Sequence, residues 1–596
     1  MAGASLACLT SLAGSAEAQV DYPAALGGID GQLARQMDKF AHPGDYPAGF
    51  ETARLLQSYD VPIGDPSYAA QYHRADIYDT SVAAIYLTRR GELGRAQSLL
   101  DGIRMVQQID PLGDGRVRAA YYANDLQSPG NTGPSISSPD TAVGNMSWAG
   151  IALATYYAET GDRAYLDAAR QIGSWIDQNV RQPASDGFGG YSLGQDQTGA
   201  VLFGTGNARS TEHNLDVYSF ASSLYALDRD PVTNRRNPQW QAMADHAGSF
   251  VQAMYDPARQ RYWTGTQDGP GGQIQIATVP VPADTQTWTA LTGLDDPSRA
   301  VASMRFLVDT PNTDPAHLLV TDTLAELIPG DTRGFVGTRF TDQGAQIQSE
   351  NTAGAALALA VGVEQGWLFE APGEPADKWA DQADVLIASL DAIRTSAPGA
   401  DPNGLGVVAT PWPDGAPTGF GFAYPNLRHS ASTAWTGLAL LYQHPDPATR
   451  DLLANPLGPL VNDTPEGDYD QDGVLGPGDI DTLRANLGDA VYDLDGDGIS
   501  DAADVALLVE GPGFAGTSFG DANLDGEVDL VDFDALSQGF GGPGGWGQGD
   551  FTGDGVVDLL DFDVLAQNFD AGEGVELPEP GVLGGLAAGL GALRRR

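Results

Sequence analysis
Cysteine is all but absent: the chain of 596 residues contains one, Cys8. Disulfides are excluded as a source of stability, and so are cysteine-ligated metal sites. Positive charge is scarce as well. Lysine occurs only at Lys39 and Lys378, and 31 Lys and Arg stand against 79 Asp and Glu, for a formal net charge of -48. Such a chain repels phosphate backbones and anionic lipid, so neither nucleic acid nor an anionic membrane is an expected partner. Residues 22–455 also lack a phosphate loop, a zinc motif and a Rossmann fingerprint, and a serine–histidine hydrolase, possible in principle, is not favoured. The single cysteine lies in Met1–Ala18, an apolar stretch of small residues that ends in Ala16-Glu17-Ala18, the form of an A-x-A cleavage site. Residues 1–18 read as a signal peptide without a basic n-region.

What the chain has in excess is acid, and the acid is concentrated. Between Asp463 and Pro580 there are 29 acids and one base, Arg484. Four loops there, Asp468–Asp479, Asp493–Asp504, Asp521–Asp532 and Asp550–Asp561, place oxygen-bearing side chains at positions 1, 3 and 5, glycine at 6 and an acid at 12. That spacing wraps a backbone around one hard cation. The expected ligands are Asp468, Asp470, Asp472 and Asp479 with the Val474 carbonyl; Asp493, Asp495, Asp497 and Asp504 with the Ile499 carbonyl; Asp521, Asn523, Asp525 and Asp532 with the Glu527 carbonyl; and Asp550, Thr552, Asp554 and Asp561 with the Val556 carbonyl. The expected cofactor is structural calcium, up to four ions. Each loop leads into a short apolar helix (480–487, 505–509, 533–540 and 562–569). The region resembles dockerin domains, which also carry Asp at position 12. Two paired modules follow, 467–511 and 519–571, and the glycine-rich spacer 541–549, between loops three and four, reads as flexible. The resemblance implies docking onto a cohesin-like or surface scaffold partner.

The last residues run Leu577-Pro578-Glu579-Pro580, an apolar stretch Gly581–Leu593, then Arg594-Arg595-Arg596. The stretch is short for a full membrane span. The order resembles the PEP-CTERM sorting signal over 577–596. It implies processing by an exosortase and an exported, extracellular or surface-associated protein of a Gram-negative bacterium.

Residues 22–455 read as mostly α. Apolar residues recur at helical spacing in long pairs joined by short Gly or Gly-Asp turns: 76–90 with 96–108, 142–159 with 164–179, 212–228 with 240–255, 351–364 with 376–394, and 430–442. Weaker helical segments fall at 25–39, 49–58, 297–309 and 316–327. Residues 456–466 form a linker. The hairpin Glu159-Thr160-Gly161-Asp162-Arg163-Ala164-Tyr165-Leu166 resembles those of the six-hairpin glycosidases, and the resemblance implies an (α/α)6 toroid with a central cleft.

Polar clusters open three of the helices. Glu212, His213 and Asp216 begin one, Tyr78 and Asp79 a second behind Asp76, and Glu350 a third. Glycoside hydrolysis needs two carboxyl groups across the scissile bond, one to protonate the leaving oxygen and one to activate water or attack the sugar. The expectation is Glu212 as acid and Asp79 as base, with Glu350 and Asp216 as rivals. Sugar faces and hydroxyls are expected to meet Tyr78, Asn145, Trp148, Arg209, His213, Trp288, Trp412, Tyr424, Arg428 and His429. The expected partner is a polysaccharide or oligosaccharide. Two other enzyme classes stay open: a lyase using Arg118, Arg209, Arg428 or His213, and an epimerase using His73, His213 and His429. A non-catalytic glycan-binding or scaffold protein is the third alternative.

Overall fold
The computed structural model describes residues 20–569, apart from 41–45, 129–132, 203–204, 232–233, 310–313, 315, 327, 329, 372–373, 461–463 and 471. The expected signal peptide, 1–18, and sorting tail, 577–596, lie outside the described residues. The chain divides into two compact units: residues up to Leu224 with Gln239–Leu460, and Tyr225–Pro238 with the residues from Val461 on.

The first unit is mostly helical. Its longer helices are α1 (Tyr22–Met37), α2 (Ile77–Arg89), α3 (Leu93–Gln108), α4 (Val143–Thr160), α5 (Arg163–Asn179), α6 (Thr211–Leu227), α7 (Pro238–Ala253), α8 (Asp284–Thr292), α9 (Pro297–Val308), α10 (Ser349–Glu364), α11 (Lys378–Ser396) and α12 (Ser430–Tyr442), with the ends of α6 and α7 in the second unit. Burial sorts them into two kinds. On α5 the buried residues are Tyr165, Leu166, Ala168, Ala169, Ile172, Gly173, Trp175 and Ile176, a single stripe at helical period. On α12 every residue from Ser430 to Tyr442 is buried, and α4 and α10 are buried through most of their length. One-sided helices cover a core; helices apolar all round form it. The buried set packs in sequence: α4 on α2, α2 on α12, α12 on α10 and α10 on α8. Helix α6 approaches α4 through glycines: a Cβ on Gly150 would lie 2.3 Å from Phe220 Cε2. The last helix thus meets the first in a toroid-like arrangement, and α1 covers α12. A short antiparallel pair, Tyr59–Asp60 with Arg428–His429, lies along the same seam.

The hairpins follow the sequence closely and three weaker stretches do not. Residues 49–58 form no helix; Gly49 has φ 89°, and the Arg54 N–H donates to Ser98 O of α3 at 2.9 Å. Residues 316–327 were expected to be helical but hold a strand, Leu319–Thr323, paired with Gly334–Thr338; Leu-Val-Thr-Asp-Thr is rich in β-branched residues. Helix α8 (DTQTWTALT) is not among the helices expected from the sequence, because threonine and glutamine hide its period. Among the described residues no helix is long and apolar enough to cross a membrane.

The second unit contains α13 (Pro477–Ala485), α14 (Ala502–Glu510), α15 (Leu530–Gly539) and α16 (Leu559–Asn568). Each follows one acidic loop, and all four loops share one hydrogen-bond scaffold. The acid at position 12 accepts from the N–H at position 9: Asp479 from Gly476, Asp504 from Asp501, Asp532 from Asp529 and Asp561 from Asp558, at 2.8, 2.7, 2.7 and 2.8 Å. The acid at position 1 accepts from the glycine N–H at position 6 in each loop. Those glycines, Gly473, Gly498, Gly526 and Gly555, have φ between 84° and 96°, backbone that other residues adopt only with strain. The expected flexible spacer is a correction. Trp546 is fully buried in one apolar core that runs from Tyr469, Ile480 and Leu508 to Leu536, Phe562 and Leu565, so the two modules share a core and the spacer between loops three and four is part of it.

Candidate functional site
The carboxyl groups singled out in the first unit sit in the first turns of separate helices: Asp79 on α2, Glu212 on α6 and Glu350 on α10. A fourth, Asp284, opens α8 in the same way. Sequence reasoning missed it together with its helix; the repeated placement of an acid at the start of a buried helix was the signal. Asp216 stands one turn beyond Glu212. Helix starts present N–H groups and the positive dipole end, which favour acidic side chains. Asp76 is set aside from the cluster on other grounds: it makes no cap hydrogen bond, and its carboxylate is taken by Arg74 at 2.6 Å and Ser58 at 2.9 Å. Helix-start placement alone does not cover the others.

One side of the cluster is built around His429. Its Nε2 lies 3.1 Å from Asp79 Oδ1 and its Nδ1 3.9 Å from Glu350 Oε2. Tyr59 stacks on the ring with centroids 4.5 Å apart. Burial works against the imidazolium, but Asp79 and then Glu350 outweigh it, and the pKa is raised. The Tyr78 hydroxyl donates to Glu350 Oε1 and accepts from Trp435 Nε1 at 2.8 Å. Burial raises the Glu350 pKa, against the pull of His429 and Tyr78.

The other side is richer in unpaired charge. Glu212 is partly exposed, yet it is enclosed by protein, and burial followed by Asp284, Asp216 and Glu350 pushes its pKa well up. Asp284 is pushed up to about 7 by burial, with Glu350 adding to the effect. Asp216 is fully buried and neither of its oxygens makes a regular hydrogen bond; Trp148 Nε1, also without one, is the polar group facing it. His213 lies beside Asp216 against Gly144, where a Cβ would come within 2.7 Å of the imidazole and 3.1 Å of Asp216 Oδ2. Burial lowers the His213 pKa to about 4. No lysine or arginine ion pair with Glu212, Asp216 or Asp284 occurs among the described residues.

Beneath the acids lie Trp148, Trp288 and Trp435, each at most 3% exposed, with Trp288 and Trp435 stacked at 6.0 Å and Tyr78 edge-on to Trp148 at 5.3 Å. They form a packed aromatic floor rather than exposed platforms. Exposed aromatics are supplied by Phe420 and Phe422, which meet Phe340; Tyr424 joins them and lies 6.1 Å from His429. Burial and the charges of Glu350, Asp284 and Glu212 hold the Tyr424 hydroxyl well above its usual range.

The remaining expected residues are held elsewhere. Arg209 is buried on Asp186 and the Gly206 and Gly189 carbonyls. Arg428 is paired with Asp60 and Asp401. Asn145 donates to Ala119 O at 3.1 Å, and Trp412 is buried in packing. His73 contacts Phe40 and Tyr72. Gly190-Tyr191-Ser192-Leu193-Gly194 has the spacing of a serine elbow, but Ser192 is buried and its hydroxyl points to Val180 O. A cavity of about 580 Å³ lined by Arg259, Arg261, Trp263, Val279, Asp314 and Asp342 contains none of the clustered acids.

In the second unit two acid groups gather closely enough to hold a metal ion: Asp468, Asp470 and Asp472, and Asp493, Asp495 and Asp504. Loops three and four carry Asn523 and Thr552 at position 3, so their donor sets are less acidic. Burial, and then neighbouring carboxylates, raise the pKa of Asp479 and Asp532. A cation would relieve that repulsion, and an all-oxygen donor set suits a hard divalent ion.

No family model matches the chain, and no curated protein matches it significantly in sequence. Solved structures resemble it in outline. A family 76 glycoside hydrolase from a bovine Bacteroides thetaiotaomicron strain is similar with a TM-score of 0.44 and 12% identity, over 71% of this chain and 78% of that one. An inactive variant of an α-1,6-mannanase of Salegentibacter sp. HEL1_6, in complex with α-1,6-mannotriose, gives 0.43 and 14%, over 70% and 98%. The cellobiose 2-epimerase from Spirochaeta thermophila DSM 6192 gives 0.39 and 12%, over 70% and 96%. Similarity this distant fixes neither a family nor a chemistry for this chain.

Proposed function
We propose that the chain is a glycoside hydrolase acting on a polysaccharide, with a first unit built as a closed (α/α)6 toroid. The observation that carries this is the convergence of carboxyl groups from the first turns of α2, α6, α8 and α10. Glu212 is the acid: it is partly exposed, and burial with Asp284, Asp216 and Glu350 around it favours its protonated form. It gives that proton to the glycosidic oxygen as the bond to the anomeric carbon breaks. Asp79, held by His429, is the base: it takes a proton from the water that attacks that carbon. Glu350 and Asp216 remain the rivals for these roles. Tyr78, Tyr424 and His213 adjoin the acids, and Phe422 offers an exposed apolar face to a sugar ring.

A lyase is less well supported, because Arg118, Arg209 and Arg428 are tied to Asp110, Asp186 and Asp60. An epimerase is the second reading, favoured by the presence of both His213 and His429 beside the clustered acids. The proposal extends to structural calcium in all four loops of dockerin-like modules, docking to a cohesin-like or scaffold partner, and export with exosortase processing of 577–596.

The test is release of reducing ends and of 235 nm absorbance from a polysaccharide panel, with Glu212→Gln beside the wild type. Reducing ends without unsaturated product, falling about 100-fold or more in the variant, are expected. Absorbance at 235 nm would identify a lyase, and silence with a change in sugar configuration an epimerase.

A further inference from the structure
Arg484 is the one base among 29 acids between Asp463 and Pro580, and it is not a solvated counter-ion. It sits half-buried near the end of α13, the helix that closes loop one, and reaches across to loop four. Its Nη1 donates to Asp550 O and its Nη2 to Phe551 O, each at 2.7 Å. These carbonyls belong to the first two residues of that loop. The guanidinium also lies 4.9 Å over the Trp546 ring. The Trp546 backbone N–H donates to Asp481 Oδ1, also on α13, at 2.8 Å, and its indole N–H donates to Asp521 O at 2.6 Å. Asp521 is the first residue of loop three. The fit is close: a Cβ on Gly545 would lie 2.1 Å from Asp481 Oδ2, and one on Gly553 3.0 Å from Arg484 Nε.

We infer that Arg484 and Trp546 couple loop one to loops three and four, so that these cation sites load as one cooperative set. The inference rests on the cation-binding reading of the loops. Residue 1 of each loop supplies a ligand, and the two bridges fix the main chain from which that ligand extends. Asp479 is both the last ligand position of loop one and part of the first turn of α13. Loading loop one therefore fixes the helix that holds the starts of loops three and four. Charge alone predicts the opposite: a guanidinium close to Asp550 and Asp561 repels an incoming cation. The fork to two carbonyls needs arginine; lysine keeps the charge and loses that geometry.

The experiment is a calcium chloride titration of the full chain after stripping with EDTA, with bound calcium measured by equilibrium dialysis. The wild type is expected to load steeply. Arg484→Lys is expected to divide the curve, moving loop four, whose first two carbonyls it releases, to a midpoint about tenfold or more above loop one. Trp546→Phe keeps the bulk and removes the indole donor, so it should detach loop three alone. Helical content at saturating calcium confirms that each variant folds. A wild type that loads as independent sites, or an Arg484→Lys protein that titrates like the wild type, overturns the coupling. A wild type that takes up no calcium overturns the cation reading itself.

Discussion
At Asp284, burial and like charge act in the same direction. The side chain is buried and its pKa is pushed up to about 7, against about 4 for an aspartate in an unfolded chain. The folded state therefore binds this proton more tightly, and its contribution to stability is lost as pH rises from about 4 to about 7. Asp284→Asn removes that loss. The variant should be more stable than the wild type at pH 8 by on the order of a few kcal/mol and so melt at a higher temperature, and the gap should shrink at pH 4. Melting curves at the two pH values check this; a gap independent of pH would mean that the carboxyl is not strained in the folded state. Such tension is expected where acids are gathered for chemistry rather than for stability. Glu212, Asp79 and Glu350 could be singled out in the sequence because each stands in an unusual polar cluster before an apolar helix. Asp284 could not, since the helix behind it carries four threonines and no apolar stripe.

At the scale of helices, the approach of α6 to α4 depends on absent side chains. Gly150→Ala places a methyl against the Phe220 ring and should destabilise the first unit by about 1–3 kcal/mol. Adding Phe220→Leu should recover part of the loss. Denaturant unfolding of the single and double variants tests the contact; additive costs would show that the two residues do not meet. Helix boundaries were legible to within a few residues wherever an apolar stripe met a Gly or Asp stop signal, as at Thr160-Gly161-Asp162, where Gly161 takes φ 71° and Asp162 caps α5. Legibility failed where neighbours decided. Residues 49–58 have helical spacing but send backbone N–H groups out to Ser98, Thr80 and Arg74 instead, and Leu319–Thr323 pairs as a strand. The acidic loops were legible in their spacing, since acids at positions 1 and 12 and the glycine at 6 take up one repeated hydrogen-bond scaffold. Their shared core was not, since nothing local announces that Trp546 fills it.

At the scale of the molecule, the second unit owes its form to loops that gather acids, with one continuous core between them. Removing cations with EDTA should unfold 466–569 in a single transition, while the first unit keeps its helices. Limited proteolysis followed by mass spectrometry checks the boundary: a fragment near residues 20–460 should survive. Two separate transitions in the second unit would contradict the common core. The first unit has a different dependence, set by the order of its chain. His429 and α12 are the last parts of the site to occur in the sequence, yet they contact Tyr59 and α2, among the first. During synthesis Asp79, Glu212, Asp284 and Glu350 all leave the ribosome before the histidine that holds Asp79. A nascent chain that ends between Glu350 and His429 has every acid and no seam, so the side of the cluster built on His429 is completed only when the last helix of the unit has been made.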